Sequence, residues 1–180
     1  METRGPWRRH GREQLCTTPR LVAYRDEITL PDGSPGHYDW VQVPDMVRVA
    51  ALVDGRLLVI EQYHYLTGTM WQLPGGSMEP GERDSVATAQ RELAEETGYR
   101  EGRWTPHGAL HPMPGLTPAR VHLWSADGLT PGYPSPEPGE TDLKVRHIPL
   151  DDAARAVRAG RITCAPSAAL VLRMAASGEY

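Results

Sequence analysis

The segment from Leu73 to Tyr99, LPGGSMEPGERDSVATAQRELAEETGY, constrains this chain more than any other stretch. It begins with two adjacent glycines, continues through a turn-rich loop, and ends in an Ala-rich helical pattern. Asp84 or Ser85 can cap the first N–H groups of that helix, and Gly98 stands where a left-handed residue would end it. The segment therefore predicts one continuous loop, helix and loop.

The predicted helix carries an acidic face. Glu95 and Glu96 follow Glu92 at spacings of three and four, so these carboxylates are neighbours and repel by roughly 0.2–0.5 kcal/mol per pair. One interpretation is a solvated helix in which Arg91 pairs locally with Glu95. The other is a divalent-cation site, because carboxylate oxygens are the ligands that Mg²⁺ prefers and glycine lets the Gly75 carbonyl approach them.

The runs GGSMEPGE and RELAEETGY are together similar to the signature of the Nudix hydrolases. In that family a glycine, a later glutamate and an Arg-Glu-aliphatic-x-Glu-Glu-x-Gly run form a metal-diphosphate site. The spacing departs from the family pattern, because Arg83 is an extra residue between Glu82 and Arg91. Since Arg83 precedes the helix cap, the helical spacing of the glutamates is unchanged. Whether Glu82 still reaches Arg91 or the metal is left open.

The resemblance implies a set of metal ligands. Glu92 and Glu96 are expected to bind Mg²⁺, or Mn²⁺, as the primary ligands. Glu95 is expected to support them directly or through water, and the Gly75 carbonyl to complete the set. Such cations would lie between the glutamates and the anionic oxygens of a diphosphate, which the glutamates alone would repel.

The resemblance also implies a catalytic set made of Glu92, Arg91, Glu82 and a general base. Arg91 is expected to orient a glutamate. The base in related enzymes often comes from an acidic loop before the last strand, where this chain has Glu140 and Asp142 on either side of a threonine. We predict that Glu140 is the base. A solvated loop is the alternative, because the sequence does not show whether either residue is within hydrogen-bond reach.

A wider resemblance covers roughly residues 18–175. The order of VQVPD, LLVIEQYHY, LPGG, HPMPGLTP, ETDLKV and IPLDDAARAVRAGRI is similar to the ADP-ribose and nucleotide-sugar diphosphatase branch of the family. It implies a small nucleoside diphosphate substrate and a homodimer in which the N-terminal hairpin helps form the partner's pocket. Trp40, His64, Gly76 and Gly115 are the expected substrate contacts. A core or interface role for Trp40 and a plain strand-end role for His64 stay open.

Two departures leave the substrate open between ADP-ribose and a nucleotide sugar. His64 stands where the branch often has arginine, and Gly75 where it often has alanine. A non-catalytic sensor of nucleotide metabolites is a second hypothesis, which the extra residue after Glu82 would favour. A third, an isoprenoid diphosphate isomerase, would need a cysteine near the site, and Cys16 and Cys164 are poorly placed for it.

Outside the motif, the sequence predicts three regions. Residues 1–15 are polar and locally basic, which favours a flexible tail. Residues 16–44 contain two strand patterns around a turn, and we predict a small antiparallel hairpin subdomain used for dimerisation. Residues 45–180 alternate strands and helices, with a strong hairpin signal at Asp54-Gly55. This alternation and the resemblance predict an α/β fold, the Nudix α/β/α sandwich with a mixed sheet.

Composition excludes several classes of protein. The chain has 180 residues and a net charge of −4, which suit one domain with a small appendage and argue against wholesale binding to nucleic acid or membrane surfaces. No apolar run approaches membrane-spanning length. Without a signal peptide, Cys16 and Cys164 are expected to be reduced thiols in a cytoplasmic protein.

Overall fold

The computed structural model describes residues 2–177, which divide into two units. The first contains residues 2–44 together with Met113–Ala119, a loop that the sequence did not assign to it. The second contains Asp45–Pro112 and residues 120–177. Each unit is described separately below.

The first unit is built on a four-stranded antiparallel sheet with its strands in sequential order. The strands are β1 (Glu2–Arg4), β2 (Trp7–Thr17), β3 (Val22–Thr29) and β4 (Pro35–Gln42). The predicted hairpin corresponds to β3 and β4, which pair along their whole length. The loop Met113–Ala119 binds to β4, because Val41 N–H donates to the Leu116 carbonyl at 2.9 Å.

The structure differs from the predicted flexible tail over residues 1–15. Its described residues form β1 and most of β2, so the expected hairpin is half of a larger sheet. The physical reason lies in a cross-strand ion pair. Arg12 on β2 donates from Nε and one terminal nitrogen to the Asp26 carboxylate on β3, at 2.7 and 3.0 Å. Local composition shows the basic residues but not this partner 14 positions away.

The second unit is a six-stranded mixed sheet. Its order is β10-β6-β5-β9-β8, with β7 also paired to β6; β5 and β9 are parallel and the other pairs antiparallel. The elements are β5 (Met46–Val53), β6 (Arg56–His64), β7 (Gly68–Gln72), α1 (Ser85–Thr97), β8 (Arg103–Leu110), β9 (Val121–Asp127), β10 (Lys144–Ile148), α2 (Leu150–Arg158) and α3 (Ala165–Ser177).

Helices cover both faces of this sheet, which confirms the predicted α/β/α sandwich. Alternate residues of β5 point to opposite faces. Val47, Val49 and Ala51 pack in one core cluster with Ala89 and Leu93 of α1. A second cluster holds Ala50 of β5 with buried residues of α2 and α3. The sheet therefore carries α1 on one face and α2 with α3 on the other.

Two smaller expectations can be compared with the structure. The Asp54-Gly55 hairpin is present between β5 and β6, and both residues have positive φ, as a tight two-residue hairpin turn requires. Cys16 and Cys164 are free thiols. Within residues 2–177, no helix has both the length and the apolar character needed to span a bilayer.

Candidate active site

Helix α1 carries the acidic residues of the site and has the caps that the sequence predicted. The Asp84 carboxylate accepts from Val86 N–H at 3.0 Å, and Gly98 ends the helix with a φ of +78°. Ala89 and Leu93 pack against the sheet. Glu92 and Glu96 also lie inward, with only 9% and 3% of their surface exposed.

The glycine turn between β7 and α1 runs alongside β5 and meets these glutamates. Gly75 N–H donates to Glu96 Oε2 at 2.8 Å. Gly75 has a φ of +133°, and a Cβ there would overlap the Val47 carbonyl, so only glycine fits. A Cβ at Gly76 would lie 2.6 Å from both carboxylate oxygens of Glu92. The two glycines therefore provide the space in which the carboxylates are held.

Burial makes both carboxylates hard to ionise. It raises the pKa of Glu92 to about 7, against the opposing charge of Arg91, and repulsion from Glu95 and Glu140 adds to the shift. Burial also raises the pKa of Glu96 well above its usual value, although the Gly75 N–H and the charge of Arg48 oppose it. A buried carboxylate without a compensating cation is unfavourable when ionised.

Arg91 connects the outer carboxylates of the site. Its Nη1 lies 3.0 Å from Glu95 Oε2 and 3.1 Å from Glu92 Oε1. Its Nη2 donates to the Ser77 carbonyl at 3.2 Å. These contacts would let Arg91 orient a glutamate, which stays a prediction, and they tie α1 to the end of the glycine turn.

Glu82 reaches Arg91 despite the extra residue in the loop. The Glu82 carboxylate lies 3.5 Å from Arg91 Nε and also accepts from Glu79 N–H at 2.6 Å and the Thr88 hydroxyl at 2.9 Å. Arg83 is exposed and precedes the helix cap. The loop therefore accommodates the extra residue, and Glu82 still contacts Arg91.

The acidic loop brings one of its two candidates into electrostatic range of the buried pair. Glu140 ends a short 3₁₀ turn, Pro138–Glu140, and its negative charge raises the pKa of both Glu92 and Glu96. Asp142 is engaged elsewhere, since its carboxylate accepts from Tyr63 N–H on β6 at 3.0 Å. Of the two, only Glu140 contributes to the raised pKa values of Glu92 and Glu96, and its role as the base stays a prediction.

The predicted substrate contacts fall in both units. Gly76 and His64 belong to the second unit, and His64 Nε2 is buried with no hydrogen-bond partner among residues 2–177. Trp40 and Gly115 belong to the first unit and line one cavity of about 440 Å³. Tyr38 lines it too, and its hydroxyl donates to the Gly115 carbonyl at 2.8 Å.

That cavity has aromatic and charged walls. Trp7, Tyr38 and Trp40 provide the rings, and Arg4 and Arg9 provide cations. The indole N–H of Trp40 and Nη1 of Arg9 are both buried and both interact with Asp26, since each lowers the pKa of that carboxylate and Nη1 lies 3.9 Å from its Oδ2. The rings of the cavity therefore suit a planar ligand.

Sequence reasoning missed Arg48, which contacts the glycine turn. Arg48 lies on β5, is 7% exposed, and donates from Nη1 to the Gly75 carbonyl. The available signal was an arginine inside the apolar run MVRVAALV, where a charged residue needs buried partners. The Gly75 carbonyl, expected as a metal ligand, thus has a protein partner.

The residues present fit a divalent cation. Among residues 2–177, no three or more His, Cys, Asp or Glu side chains are already arranged around one point as a ligand set. Glu92 and Glu96 nevertheless supply two buried carboxylates with raised pKa values beside a glycine cradle. Hard oxygen donors of this kind are the ligands that Mg²⁺ and Mn²⁺ take.

Comparisons with known proteins agree with the fold and the motif. The NUDIX domain family matches residues 44–165. The chain is 30% identical over 160 residues to an ADP-ribose pyrophosphatase of Bacillus subtilis, covering 87% of this chain and 86% of that protein. It is 30% identical over 153 residues to an ADP-ribose pyrophosphatase of Mycobacterium tuberculosis, covering 83% and 74%. A solved ADP compounds hydrolase superposes over the full length of both chains with a TM-score of 0.84 at 18% identity.

Proposed function

The chain belongs to the Nudix family as a pyrophosphohydrolase, and from that premise we propose that it cleaves the diphosphate linkage of a nucleoside diphosphate derivative. The substrate class is ADP-ribose or a nucleotide sugar. The products are a nucleoside monophosphate and a phosphorylated sugar, and the reaction depends on Mg²⁺ or Mn²⁺. The protein acts in the cytoplasm as a homodimer.

The observation that carries this proposal is the pair of buried carboxylates beside the glycine turn. Glu92 and Glu96 are buried against Gly75 and Gly76, and the pKa of each is raised by that burial. Bound cations would favour the ionised form of these carboxylates and would attract an anionic substrate. Bound Mg²⁺ would supply positive charge to the phosphoryl oxygens and lower the pKa of a nearby water.

Cation binding, positioning of the carboxylates and proton acceptance are assigned to different residues of this chain. Glu92 and Glu96 would hold the cations, with Glu95 joining them. The Gly75 carbonyl, which already accepts from Arg48, would join through its second lone pair. Arg91 keeps the outer carboxylates in place through its contacts with Glu95 and Glu82. Glu140 would accept the proton of the water that attacks phosphorus, because its charge already acts on the buried pair.

Each unit separately offers groups that a substrate could contact. In the first unit, Trp40 and Gly115 line the aromatic cavity, whose rings suit a nucleobase. In the second, Gly76 lies directly against the Glu92 carboxylate, and the unpaired Nε2 of His64 could bind a phosphate or hydroxyl oxygen. ADP-ribose is favoured by the two similar pyrophosphatases.

The non-catalytic sensor is the weaker hypothesis. The extra residue was its only support, and Glu82 reaches Arg91 with that residue in place. The outward loop around Arg83 leaves the contacts of Arg91 with Glu92 and Glu95 intact.

The experiment is a substrate panel. ADP-ribose, UDP- and GDP-sugars, dinucleotides and nucleoside triphosphates are each incubated with the protein and Mg²⁺, Mn²⁺ or a chelator, and mononucleotide release is measured. We expect metal-dependent cleavage of one diphosphate class, with ADP-ribose among the substrates. No turnover across the panel, with metabolite binding still detected by thermal shift, would replace the hydrolase with the sensor.

A further inference from the structure

Arg48 is a buried cation without a carboxylate partner. It is 7% exposed and forms no ion pair within residues 2–177. Its hydrogen-bond acceptors include three neutral oxygens: Nη1 donates to the carbonyls of Val47, at 3.0 Å, and Gly75, and Nη2 approaches Gln72 Oε1 at 3.4 Å. Its charge and a hydrogen bond also lower the pKa of the Cys164 thiol, and its charge opposes the raised pKa of Glu96. Its Nε has no hydrogen-bond partner in the described chain. Burying a guanidinium in this way is costly, so it calls for a functional reason.

The contacts of Arg48 converge on the turn that holds the catalytic carboxylates. Gly75 is bound from both sides: its N–H donates to Glu96 and its carbonyl accepts from Arg48. These two peptide units flank the φ and ψ angles of Gly75, and that φ of +133° is available only to glycine. The neighbouring residues are held by β5, since Val49 N–H donates to the Pro74 carbonyl at 2.8 Å and Val47 N–H to the Gly76 carbonyl at 2.9 Å. The contacts with Glu96 and Arg48 are the ones that hold the N–H and carbonyl of Gly75 itself.

The base of the turn is fixed in the same manner by the start of α3. The Ser167 hydroxyl accepts from Leu73 N–H at 3.1 Å and donates to Cys164 Sγ at 3.2 Å. Ser167 is fully buried. The turn is therefore held by polar contacts that reach from β5 to α3. Among the described residues that make these contacts, Arg48 is the only cation.

We propose that Arg48 is a positioning residue, whose guanidinium fixes the Gly75 peptide and thereby the place of Glu96 in the cation site. It acts through the turn and does not touch the substrate. This inference rests on the proposed function for its effect on turnover, while its effect on cation binding can be measured independently. A planar guanidinium that reaches three acceptors is required, so lysine is a partial substitute only.

The test compares Arg48→Met, Arg48→Lys and a control, Arg56→Met. Arg56 is exposed at the start of the neighbouring strand β6 and makes no contact with the turn. Mn²⁺ binding to each metal-free protein is measured by electron paramagnetic resonance without substrate. Turnover of the best substrate from the panel is then measured as kcat and KM, with folding checked by circular dichroism.

We expect Arg48→Met to weaken Mn²⁺ binding and to lower kcat, each by roughly 10–100-fold, the usual effect of losing a residue that orients a ligand. KM should stay within about threefold of the wild-type value, because Arg48 does not contact substrate. Arg48→Lys should recover part of both losses, and Arg56→Met should match the wild type.

Mn²⁺ affinity and kcat equal to those of Arg56→Met, in folded Arg48→Met protein, would overturn the inference. If Arg48→Met does not fold, Arg48→Lys decides: a loss of Mn²⁺ affinity supports the inference, and wild-type affinity overturns it. A wild-type protein that binds Mn²⁺ but cleaves no substrate would defeat the proposed function alone, since the Mn²⁺ comparison still tests Arg48.

Discussion

Each unit of this protein buries a carboxylate, and the two behave in opposite ways. Asp26 in the first unit is 6% exposed, and its hydrogen bonds from Arg12 lower its pKa, with Arg9 adding a smaller effect. Glu96 in the second unit is 3% exposed, and burial raises its pKa. Burial dominates at Glu96, which forms no ion pair among residues 2–177, whereas the hydrogen bonds from Arg12 dominate at Asp26. Glu92 is intermediate, because Arg91 lies 3.1 Å away and burial still raises its pKa to about 7.

The largest expected effect concerns turnover. Glu96→Gln keeps the shape of the side chain but removes the charge that would hold a cation. We expect kcat to fall by more than about 100-fold while the fold is retained. The control is Asp127→Asn, which changes a carboxylate paired with the exposed Arg103. Near-wild-type activity of Glu96→Gln would remove Glu96 from the metal site.

Mutations at Asp26 and at Glu96 are predicted to have opposite effects on the free energy of unfolding. Asp26→Asn should lower the free energy of unfolding by about 1–3 kcal/mol, because Arg12 and Arg9 lose their partner but keep some access to water. Glu96→Gln should gain stability relative to the wild-type metal-free protein as the pH rises, because burial disfavours the charged form that wild-type Glu96 must adopt when it titrates. Urea unfolding measures both. Effects of equal sign would contradict the comparison.

The pH dependence of the metal-free protein separates the sites further. The pKa of Glu92 is about 7 in the folded chain and 4.5 in the reference state. Between these values the folded state binds more protons than the unfolded state, so stability falls as pH rises from about 4.5 to 7, by up to about 3 kcal/mol. Thermal unfolding across this range should show the decline, and Glu92→Gln should flatten it. An equally steep decline in the variant would assign it to other groups.

The smallest expected effect on turnover comes from the loop between Glu82 and Arg91. Deleting Arg83 restores the usual family spacing between Glu82 and Arg91. Because Glu82 already lies 3.5 Å from Arg91 and the extra residue is exposed, we expect kcat and KM to change by less than about threefold. Steady-state kinetics checks this. A gain of activity well beyond threefold would show that the longer loop holds the site out of position.

How far the sequence predicted the structure depends on the range of the interactions. The caps of α1 and the shared face of Glu92 and Glu96 follow from residues within four positions, and both are present. The Asp54-Gly55 hairpin is equally local. These features need no tertiary information, because spacing alone fixes which groups meet.

The features that the sequence did not predict are long-range contacts. Arg12 was assigned to a tail because its partner Asp26 lies on another strand. Arg48 passed unnoticed because its acceptors at Gln72 and Gly75 are more than twenty positions away. The burial that shifts the pKa values of the glutamates is likewise a property of the packed sheet, and the sequence pattern showed only their charge.

The measurement that tests the cation site most directly is a thermal unfolding titration at pH 8, with Mg²⁺ or Mn²⁺ added to chelator-treated protein. A cation at about 100 times its Kd adds about 2.7 kcal/mol of stability, which corresponds to several degrees in Tm for a chain of this size. We predict that rise for the wild type and for Asp127→Asn, and no rise for Glu96→Gln. An unchanged Tm in the wild type, or an equal rise in Glu96→Gln, would contradict the assignment of the buried carboxylates as the cation site.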